Sequence, residues 1–201
     1  MKKVGIIGGT FNPIHIGHMI LAESARTEFD LDEILFIPTG VSYFKDPSTI
    51  LDKKTRLDLV GDAICDNPYF AMSTLETDRP GNSFTYETLL ELKKENPETE
   101  YYLIIGADSC LQLEEWKHPE IIMKEATILV AKRKGHPTEQ LLHKIEELKE
   151  KYQANVLLLT TPYIDISSTE IRDRLKKGKS IRYLVRHATM EYIEAHGLYK
   201  E

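Results

Sequence analysis

Cysteine is scarce in this sequence and long apolar runs are missing, and both features exclude classes of protein. The two cysteines among 201 residues, Cys65 and Cys110, lack the paired spacing of a metal or redox motif. No apolar run approaches the roughly 18 residues of a membrane span, and the first residues lack a signal peptide's apolar segment. We therefore expect a cytoplasmic protein that does not enter a membrane.

Basic residues are also in short supply. The chain has 26 Lys and Arg against 32 Asp and Glu, a formal charge of −6 at pH 7. Because a negative chain is repelled by a nucleic-acid backbone, we expect no nucleic-acid partner, and any phosphate site must rest on a local positive field. With 201 residues, of which 41% are hydrophobic, residues 1–201 are predicted to form a single globular domain.

The common phosphate-binding motifs are absent, since the chain has neither GxGxxG nor a Walker A loop. Its first eighteen residues carry a different arrangement. An apolar run ends at Gly8 and Gly9, and His15-Ile16-Gly17-His18 leads into a helical pattern. A buried strand, a glycine turn and a helix start point backbone N–H groups at one place, which favours anion binding. His15 and His18 are predicted to share one side of the first helical turn.

Apolar segments alternate with helical patterns along the whole chain. After the first strand, further strands are predicted at residues 33–38, 70–75, 101–105, 127–131 and 155–159. This alternation predicts an α/β fold, a single Rossmann-like doubly wound parallel sheet with helices on both faces. A small C-terminal helical segment, at about 167–201, is expected to complete the domain.

The candidate binding residues all follow predicted strands. Ligands of open parallel sheets bind outside the carboxyl ends of the strands, where the strand order reverses. Lys45 lies in the loop at 39–52, and Gly106-Ala107-Asp108 follows the strand at 101–105. After the last strand, Ser167-Ser168-Thr169-Glu170 has the pattern of a capping box, and Arg172 follows one turn later. An arginine there can bind two phosphate oxygens.

Simpler interpretations of several residues stay open at this point. Taken alone, residues 167–172 also fit an ordinary helix cap with a surface arginine, and Asp108 fits a helix N-cap. Trp116, the only tryptophan, either folds onto the core or stacks on an aromatic ligand ring. Arg56 suits a structural role as well as a ligand contact.

Two separated motifs resemble the signatures of the nucleotidylyltransferase superfamily. Residues 8–18, Gly-Gly-Thr-Phe-Asn-Pro-Ile-His-Ile-Gly-His, are similar to the first, and residues 166–172, Ile-Ser-Ser-Thr-Glu-Ile-Arg, to the second. Within the superfamily the chain most resembles the bacterial nicotinate-nucleotide adenylyltransferases. Trp116 follows Gly-Ala-Asp as in that family, residues 79–85 are similar to its Arg-x-Gly-x-Ser-Tyr-Thr loop, and residues 182–199 are similar to its C-terminal helices.

This resemblance implies an enzyme of NAD biosynthesis that transfers AMP from ATP to nicotinate mononucleotide, giving deamido-NAD and pyrophosphate. The substrate's own phosphate is the nucleophile, so attack on the α-phosphorus is in line and needs no covalent enzyme intermediate. Mg²⁺ is expected to arrive on ATP rather than in a metal cage of the protein. The partners are then ATP and nicotinate mononucleotide, and a homo-oligomer such as a dimer stays open.

The resemblance also implies residue roles. His18 is expected at the α-phosphate, His15 at the neighbouring phosphates, and Lys45 and Arg172 at the departing pyrophosphate. The ATP-binding set is Gly8, Gly9, Thr10, Phe11, His15, His18, Gly106, Asp108, Ser167, Ser168, Thr169 and Arg172. The set for nicotinate mononucleotide is Lys45, Ser83, Thr85 and Trp116. The chain departs from the family pattern at Phe44, where a histidine is frequent, and at Arg186, where a proline is common.

Three other functions are considered. Pantetheine-phosphate adenylyltransferases share both signatures, but their chains are shorter and the Trp116 region would be unexplained. Class I aminoacyl-tRNA synthetases carry His-Ile-Gly-His but need a larger chain and a Lys-Met-Ser-Lys-Ser loop. A nucleotide-binding module without catalytic activity would not require both histidines together with Arg172.

Overall fold

A computed structural model describes residues 1–41, 47–132, 138–162 and 164–200. Lys45 and Phe44 lie outside these described residues. The strands are β1 (Lys3–Gly9), β2 (Glu33–Pro38), β3 (Phe70–Met72), β4 (Glu100–Gly106), β5 (Thr127–Ala131) and β6 (Val156–Leu159).

Helices lie between and after these strands. They are α1 (Ile16–Glu28), α2 (Lys53–Ile64), α3 (Leu75–Asp78), α4 (Thr85–Glu95), α5 (Ala107–Leu111), α6 (Pro119–Glu125), α7 (Thr138–Tyr152), α8 (Ser168–Lys176) and α9 (His187–Ala195). Short 3-10 turns span Pro47–Thr49 and Leu113–Glu115. Within the described ranges, no helix combines the length and the apolar character needed to cross a membrane.

The strands form one parallel sheet in the order β3-β2-β1-β4-β5-β6. β1 lies between β2 and β4, with Gly8 opposite Ile37 on one side and Ile6 opposite Leu103 on the other. The direction of strand order reverses between β1 and β4, so a crevice opens at their carboxyl ends. The predicted doubly wound α/β fold is confirmed.

Both faces of the sheet are buried, which explains why its strands read as continuous apolar runs. Successive residues of β1 contribute to different hydrophobic clusters, since Ile6 packs in one and Ile7 in the other. In β4, Ile104 and Ile105 divide in the same way. The carboxyl ends of β1 and β4 are therefore held in place by side chains packed on both faces of the sheet.

The predicted strand at 70–75 is too long. β3 ends at Met72, and helix α3 begins at Leu75, the last residue of the predicted strand. β3 is an edge strand that pairs only with β2, and its last contact is the Ser73 N–H donating to the Phe36 carbonyl at 2.9 Å. Beyond this contact no second neighbour holds the chain extended, so it turns into α3.

The C-terminal helices that the resemblance implies at residues 182–199 are only partly present. α9 is present and ends before Gly197, which has φ of +62°. The preceding residues instead form a turn, in which Tyr183 has φ of +67° and the Leu184 N–H donates to the Ile181 carbonyl at 3.0 Å. This left-handed residue is incompatible with a continuous helix.

Candidate active site

Two adjoining cavities open at the carboxyl ends of β1 and β4. The first has a volume of about 690 Å³ and the second about 630 Å³. They share a wall made of Gly8, Ile104, Ile105, Ser109 and Trp116. This places two separate binding volumes side by side at the point where the strand order reverses.

The start of α1 carries both histidines into this region. His15 is the N-cap of α1 and is 9% exposed, and His18 lies in its first turn. Their imidazole rings stack with centroids 3.7 Å apart, so the predicted placement on one side of the helix is confirmed. Both residues line the second cavity.

A backbone contact determines which nitrogen of His18 carries its proton. The His15 N–H donates to Nδ1 of His18 at 3.2 Å, so Nδ1 must offer a lone pair. In the neutral imidazole the proton then resides on Nε2, which becomes the donor of this ring. The ring is thus oriented as an N–H donor before any ligand is present.

Backbone amides contribute less to the anion site than the sequence suggested. The Ile16 N–H donates to the Leu184 carbonyl at 2.9 Å, and the His18 N–H donates to the His15 carbonyl at 2.9 Å. These first-turn donors of α1 already have acceptors inside the protein. We therefore expect the histidine rings, rather than these amides, to contribute most to an anion site.

Gly17 fits between the histidines because it has no side chain. A Cβ added there would lie 3.0 Å from Nδ1 of His15. At Gly8, which lines both cavities, the situation is the opposite, since an added Cβ would meet no atom within 4 Å. The two glycines thus serve different needs, close packing in one case and open volume in the other.

Hydrogen bonds of Arg56 and Asn12 hold the turn between β1 and α1 in place. Arg56, 1% exposed, donates to the carbonyls of Thr10, Gly40 and Leu51 at 2.9, 3.2 and 3.1 Å. Its role is structural, which decides between the two interpretations. The predicted ligand residue Phe11 is 2% exposed and lies in the core with φ of +48°, so only its backbone is available to a ligand.

Asn12 connects distant parts of the chain to this turn. Its Oδ1 accepts from the Tyr199 hydroxyl at 2.8 Å and from the Leu51 N–H at 3.2 Å. Its carbonyl accepts from Nη1 of Arg172 at 2.8 Å. Because all three contacts span many residues of sequence, they fix the turn relative to α2, α8 and the C-terminal segment.

The residues at the start of α8 divide into two groups. Ser167 and Ser168 line the second cavity. Ser167 Oγ accepts from the Glu170 N–H at 3.1 Å, so the serine half of the predicted capping box is present, while the Glu170 carboxylate lies 3.5 Å from Arg174. Thr169 and Arg172 do not line either cavity. Arg172 instead donates to Thr169 Oγ1 at 3.2 Å as well as to the Asn12 carbonyl.

Residues at and after the end of β4 line the second cavity and form part of the wall that the two cavities share. Gly106 and Asp108 line the second cavity, and Asp108 lies in the first turn of α5, where Gly106 is the N-cap. Trp116 is partly buried against one hydrophobic cluster and also lines both cavities. Packing on the core is confirmed, and because the residue also borders both cavities, stacking on a ligand ring stays a prediction.

Ser83 and Thr85 lie together in the wall of the first cavity, as the sequence suggested. Ser83 Oγ accepts from the Gly40 N–H at 3.0 Å, and Thr85 begins α4. A Cβ at Gly40 would lie 2.1 Å from the Glu76 carbonyl, so only glycine permits this close approach. The turn before α4 is thereby anchored to the loop that follows β2.

The first cavity also contains a buried carboxyl group that sequence reasoning missed. Glu76 is 7% exposed and accepts from Thr88 Oγ1 at 2.8 Å. Burial raises the pKa of the Glu76 carboxyl, although the Thr88 hydroxyl and the nearby Arg79 oppose this shift. Both Glu76 and Thr88 line the cavity. Glu76 lies in α3, just before the loop at 79–85 that was identified by resemblance. Nothing in the sequence indicated that its side chain would be buried.

The structure brings most of the expected residues to the two cavities, but Gly9 and Thr10 of the expected ATP-binding set line the first cavity alone. The residues of both sets that line a cavity are Gly8, Gly9, Thr10, His15, His18, Gly106, Asp108, Ser167, Ser168, Ser83, Thr85 and Trp116. Phe11, Thr169 and Arg172 are near but outside these walls, and Lys45 is outside the described residues. Additional lining residues that were not expected include Ser109, Lys117, Lys132 and Asp165. In the ranges that the structure describes, no group of three or more His, Cys, Asp or Glu side chains could hold a metal ion.

The sheet order and the histidine pair at the first turn of α1 agree with the resemblance to nucleotidylyltransferases. The family model that matches residues 6–174 carries the description Cytidylyltransferase-like. The chain therefore belongs to the cytidylyltransferase-like family of proteins.

Curated relatives narrow the class to one family. A probable nicotinate-nucleotide adenylyltransferase of Lachnoclostridium phytofermentans is 47% identical over 199 residues, covering 99% of this chain and 100% of that protein. A second, of Lactiplantibacillus plantarum, is 40% identical over 200 residues, covering 100% of this chain and 89% of its own. The chain belongs to the nicotinate-nucleotide adenylyltransferase family.

Solved structures share the fold at lower identity. The nicotinic acid mononucleotide adenylyltransferase of Plasmodium falciparum, complexed with NaAD, superposes with a TM-score of 0.82 at 21% identity, covering 99% of this chain and 98% of that chain. A protein from Vibrio parahaemolyticus described as a nicotinate-nucleotide adenylyltransferase superposes with a TM-score of 0.71 at 24% identity, covering 100% and 97%. The similarity extends over the entire sheet and its helices.

Proposed function

We propose that this protein transfers AMP from ATP to nicotinate mononucleotide, producing deamido-NAD and pyrophosphate. One observation carries the proposal: two cavities of similar size meet at a common wall that contains Gly8 and Trp116. A transfer between two nucleotides needs two such volumes with their reacting ends in contact. Membership of the nicotinate-nucleotide adenylyltransferase family supports this reaction over others of the superfamily.

The two cavities differ in the groups they offer, and this difference assigns the substrates. The second cavity contains both histidines and the serines that begin α8, which suit the phosphates of ATP, and Asp108, which suits a ribose hydroxyl pair. The first contains Ser83, Thr85 and one side of Trp116, which suit the pyridine ring and its carboxylate. We therefore place ATP in the second cavity and nicotinate mononucleotide in the first.

The proposed chemistry needs positioning and charge stabilisation rather than a protein nucleophile. The phosphate of nicotinate mononucleotide attacks the α-phosphorus of ATP in line, its oxygen–phosphorus bond forms, and the bond to pyrophosphate breaks. His18 donates from Nε2 to an oxygen of the α-phosphate, where negative charge increases in the transition state. His15, stacked on His18, serves the neighbouring phosphates.

Mg²⁺ is proposed to enter on ATP. The described residues offer no three-ligand cluster for this ion, and Mg²⁺ readily takes phosphate oxygens and water as ligands. Bound in this way it would neutralise phosphate charge. The protein's own contribution is then to orient the two nucleotides.

Arg172 and Lys45 are proposed to neutralise the departing pyrophosphate, Arg172 from the edge of the site. Its guanidinium is held by the Asn12 carbonyl and by Thr169 Oγ1, at 2.8 and 3.2 Å. Releasing the longer bond to Thr169 would allow one nitrogen to reach a phosphate while the other keeps Asn12. A guanidinium can make both contacts because its donors diverge.

Replacing Arg172 by alanine should raise the KM for ATP or lower kcat, by about tenfold, as expected for the loss of one charge-assisted hydrogen bond. The melting temperature should fall only slightly, because Arg172 is only partly buried and its loss removes the hydrogen bonds to Asn12 and Thr169 but no ion pair within the described residues. Steady-state kinetics and thermal unfolding measure the two effects. Arg174→Ala, on the same helix, is the control. A variant that unfolds readily but keeps normal activity per folded molecule would assign Arg172 to structure.

We propose that the acid is favoured over nicotinamide mononucleotide. Stacking on Trp116 cannot discriminate between the two nucleotides, since their pyridine rings would stack on the indole equally. The turn at 82–86 can, because the Thr85 hydroxyl and backbone N–H groups other than that of Ser83, which donates to the Val41 carbonyl at 3.1 Å, would donate to both oxygens of a carboxylate. An amide would present its NH₂ to a donor, at a cost of about 1–3 kcal/mol and hence a preference of tenfold or more.

Pyrophosphate release with ATP and a panel of phosphate acceptors tests the proposed function and this preference together. We expect nicotinate mononucleotide to be the best acceptor, with nicotinamide mononucleotide at least about tenfold lower in kcat/KM. 4′-Phosphopantetheine should give no turnover, because it has no aromatic ring for Trp116. Turnover with phosphopantetheine would favour a pantetheine-phosphate adenylyltransferase instead. Binding of ATP without any pyrophosphate release would favour a nucleotide-binding module without catalytic activity.

The remaining expectations are part of the same proposal. Both substrates are cytoplasmic metabolites, so we place the reaction in the cytoplasm. We treat residues 1–201 as one catalytic domain, with a C-terminal helical segment at about 167–201, that acts without nucleic acid. A homodimer is the oligomeric form that we propose to examine by sedimentation.

A further inference from the structure

Trp116 lies at the shared wall on a short turn rather than on a regular helix or strand. The turn is the 3-10 segment Leu113–Glu115, closed by the Trp116 N–H donating to the Leu113 carbonyl at 3.2 Å. Leu113 is completely buried and fixes one point of this turn. Trp116 is itself only partly buried against the core, so the direction in which the indole leaves the turn also depends on contacts made by the other side chains of the turn.

The second fixed point is the side chain of Glu114, which α7 holds with several donors. Oε1 of Glu114 accepts from Lys151 Nζ at 2.7 Å and from the Tyr152 hydroxyl at 3.0 Å. Oε2 accepts from Lys144 Nζ. Lys144 and Lys151 are about two helical turns apart on α7 and therefore face the same side. Both carboxylate oxygens are thus bound by one helix.

This cluster differs from an ordinary surface ion pair. The side chains of Glu114 and Lys144 are 27% and 17% exposed. Hydrogen bonds from Lys144 and Lys151 hold the pKa of the Glu114 carboxyl at about 2, so the group is ionised throughout the neutral range. Several donors on one partly buried carboxylate form a network, which is more persistent than an isolated exposed pair.

The neighbours of Glu114 in sequence face elsewhere. Glu115, Trp116 and Lys117 line the first cavity, whereas Glu114 lines neither cavity. Its carboxylate points away from the ligand volume and towards α7. Any effect of Glu114 on the reaction must therefore act through the turn and reach the substrate by way of Trp116.

We propose that Glu114 is a positioning residue, which attaches the turn at 113–115 to α7 and so fixes the Trp116 indole at the wall between the two cavities. This inference rests on the proposed function, in which Trp116 stacks on the pyridine ring of nicotinate mononucleotide. Without the attachment, the turn keeps Leu113 as its anchor, and the indole samples orientations that stack poorly. Binding of the pyridine nucleotide is weakened, whereas the binding of ATP phosphates at α1 and α8 is unaffected.

Glu114→Gln tests this role, because it keeps the side-chain size and removes the charge that the two lysines bind. We expect the KM for nicotinate mononucleotide to rise about five- to tenfold, part of what a complete base–aromatic stack contributes. The kcat and the KM for ATP should stay within about twofold of the wild-type values. Glu146→Gln is the control, since it removes an exposed pair with Lys149 on the same helix at 3.0 Å.

The single tryptophan provides a readout that does not depend on turnover. Intrinsic fluorescence reports on Trp116 alone, so its quenching by acrylamide measures how well the indole is held. We expect Glu114→Gln to increase acrylamide quenching and to reduce the fluorescence change on adding nicotinate mononucleotide. The double variant Lys151→Met with Tyr152→Phe removes two of the donors that α7 provides to Glu114. It should shift the acrylamide quenching and the fluorescence change in the same directions as Glu114→Gln.

Unchanged acrylamide quenching in folded Glu114→Gln, with a normal KM for nicotinate mononucleotide, would overturn the inference. If Glu114→Gln fails to fold, the double variant on α7 decides in its place. Failure of the proposed function would look different: the wild-type protein would release no pyrophosphate with nicotinate mononucleotide. In that case the acrylamide measurement still shows whether Glu114 holds the indole.

Discussion

His18→Ala is expected to lower kcat by about 10²–10³, the loss typical of removing one preoriented donor to a transition-state oxygen. The His15 N–H donates to Nδ1 of His18 and leaves Nε2 as the proton-bearing nitrogen. His18 lines the second cavity, so we expect this donor to reach the α-phosphate of bound ATP with little reorientation. Because the charge it stabilises increases in the transition state, the KM for ATP should change much less than kcat.

The stability of His18→Ala must be measured beside its activity, since His18 also accepts a backbone hydrogen bond. Losing this contact at the start of α1 should cost about 0.5–2 kcal/mol of unfolding free energy, as for other helix caps. His18→Asn keeps a side-chain acceptor near the same N–H and separates the two effects: it should recover stability but not kcat. His143→Ala, an exposed histidine on α7, is the control. Near-normal kcat in folded His18→Ala would remove this residue from the catalytic set.

Much of the fold could be predicted because burial on both faces leaves a strong sequence signal. β2 and β5 have the predicted bounds, since each is a continuous apolar run that ends next to polar residues. Prediction failed at the sheet edge, where β3 ends at Met72, and before α9, where Tyr183 takes a left-handed conformation. Both outcomes depend on neighbours distant in sequence, which local periodicity does not encode.

The candidate site was predictable to the extent that its residues follow strands. The two histidines, Trp116 and Thr85 reach the cavities because parallel strands end at the same edge. The structural role of Arg56 was not predictable, because its acceptors are carbonyls of loops that meet only in the folded chain. The same holds for Glu76, whose burial depends on Gly40 approaching its backbone.

Gly8 offers the sharpest way to block the proposed reaction without disturbing the fold. It lines both cavities, and a Cβ added there would meet no atom within 4 Å. Its φ lies outside the left-handed region that disfavours larger residues. A branched side chain would therefore be tolerated by the strand and would project into the space where the two nucleotides must approach each other.

Gly8→Val is expected to reduce kcat/KM for both substrates by about 100-fold or more, because displacing reactants by even ~1 Å costs about that much. The melting temperature should stay constant or rise slightly, since valine favours a strand more than glycine does. Steady-state kinetics and thermal unfolding of the same preparation measure both effects.

Two glycine variants provide matched controls for Gly8→Val. Gly61→Ala, in α2 and also in open space, should leave the kinetics unchanged. Gly106→Ala adds a methyl group to the second cavity alone, so it should raise the KM for ATP more than the KM for nicotinate mononucleotide. The arrangement of the two substrates on either side of Gly8 would be refuted if folded Gly8→Val kept its activity, or if it lost affinity for one substrate only.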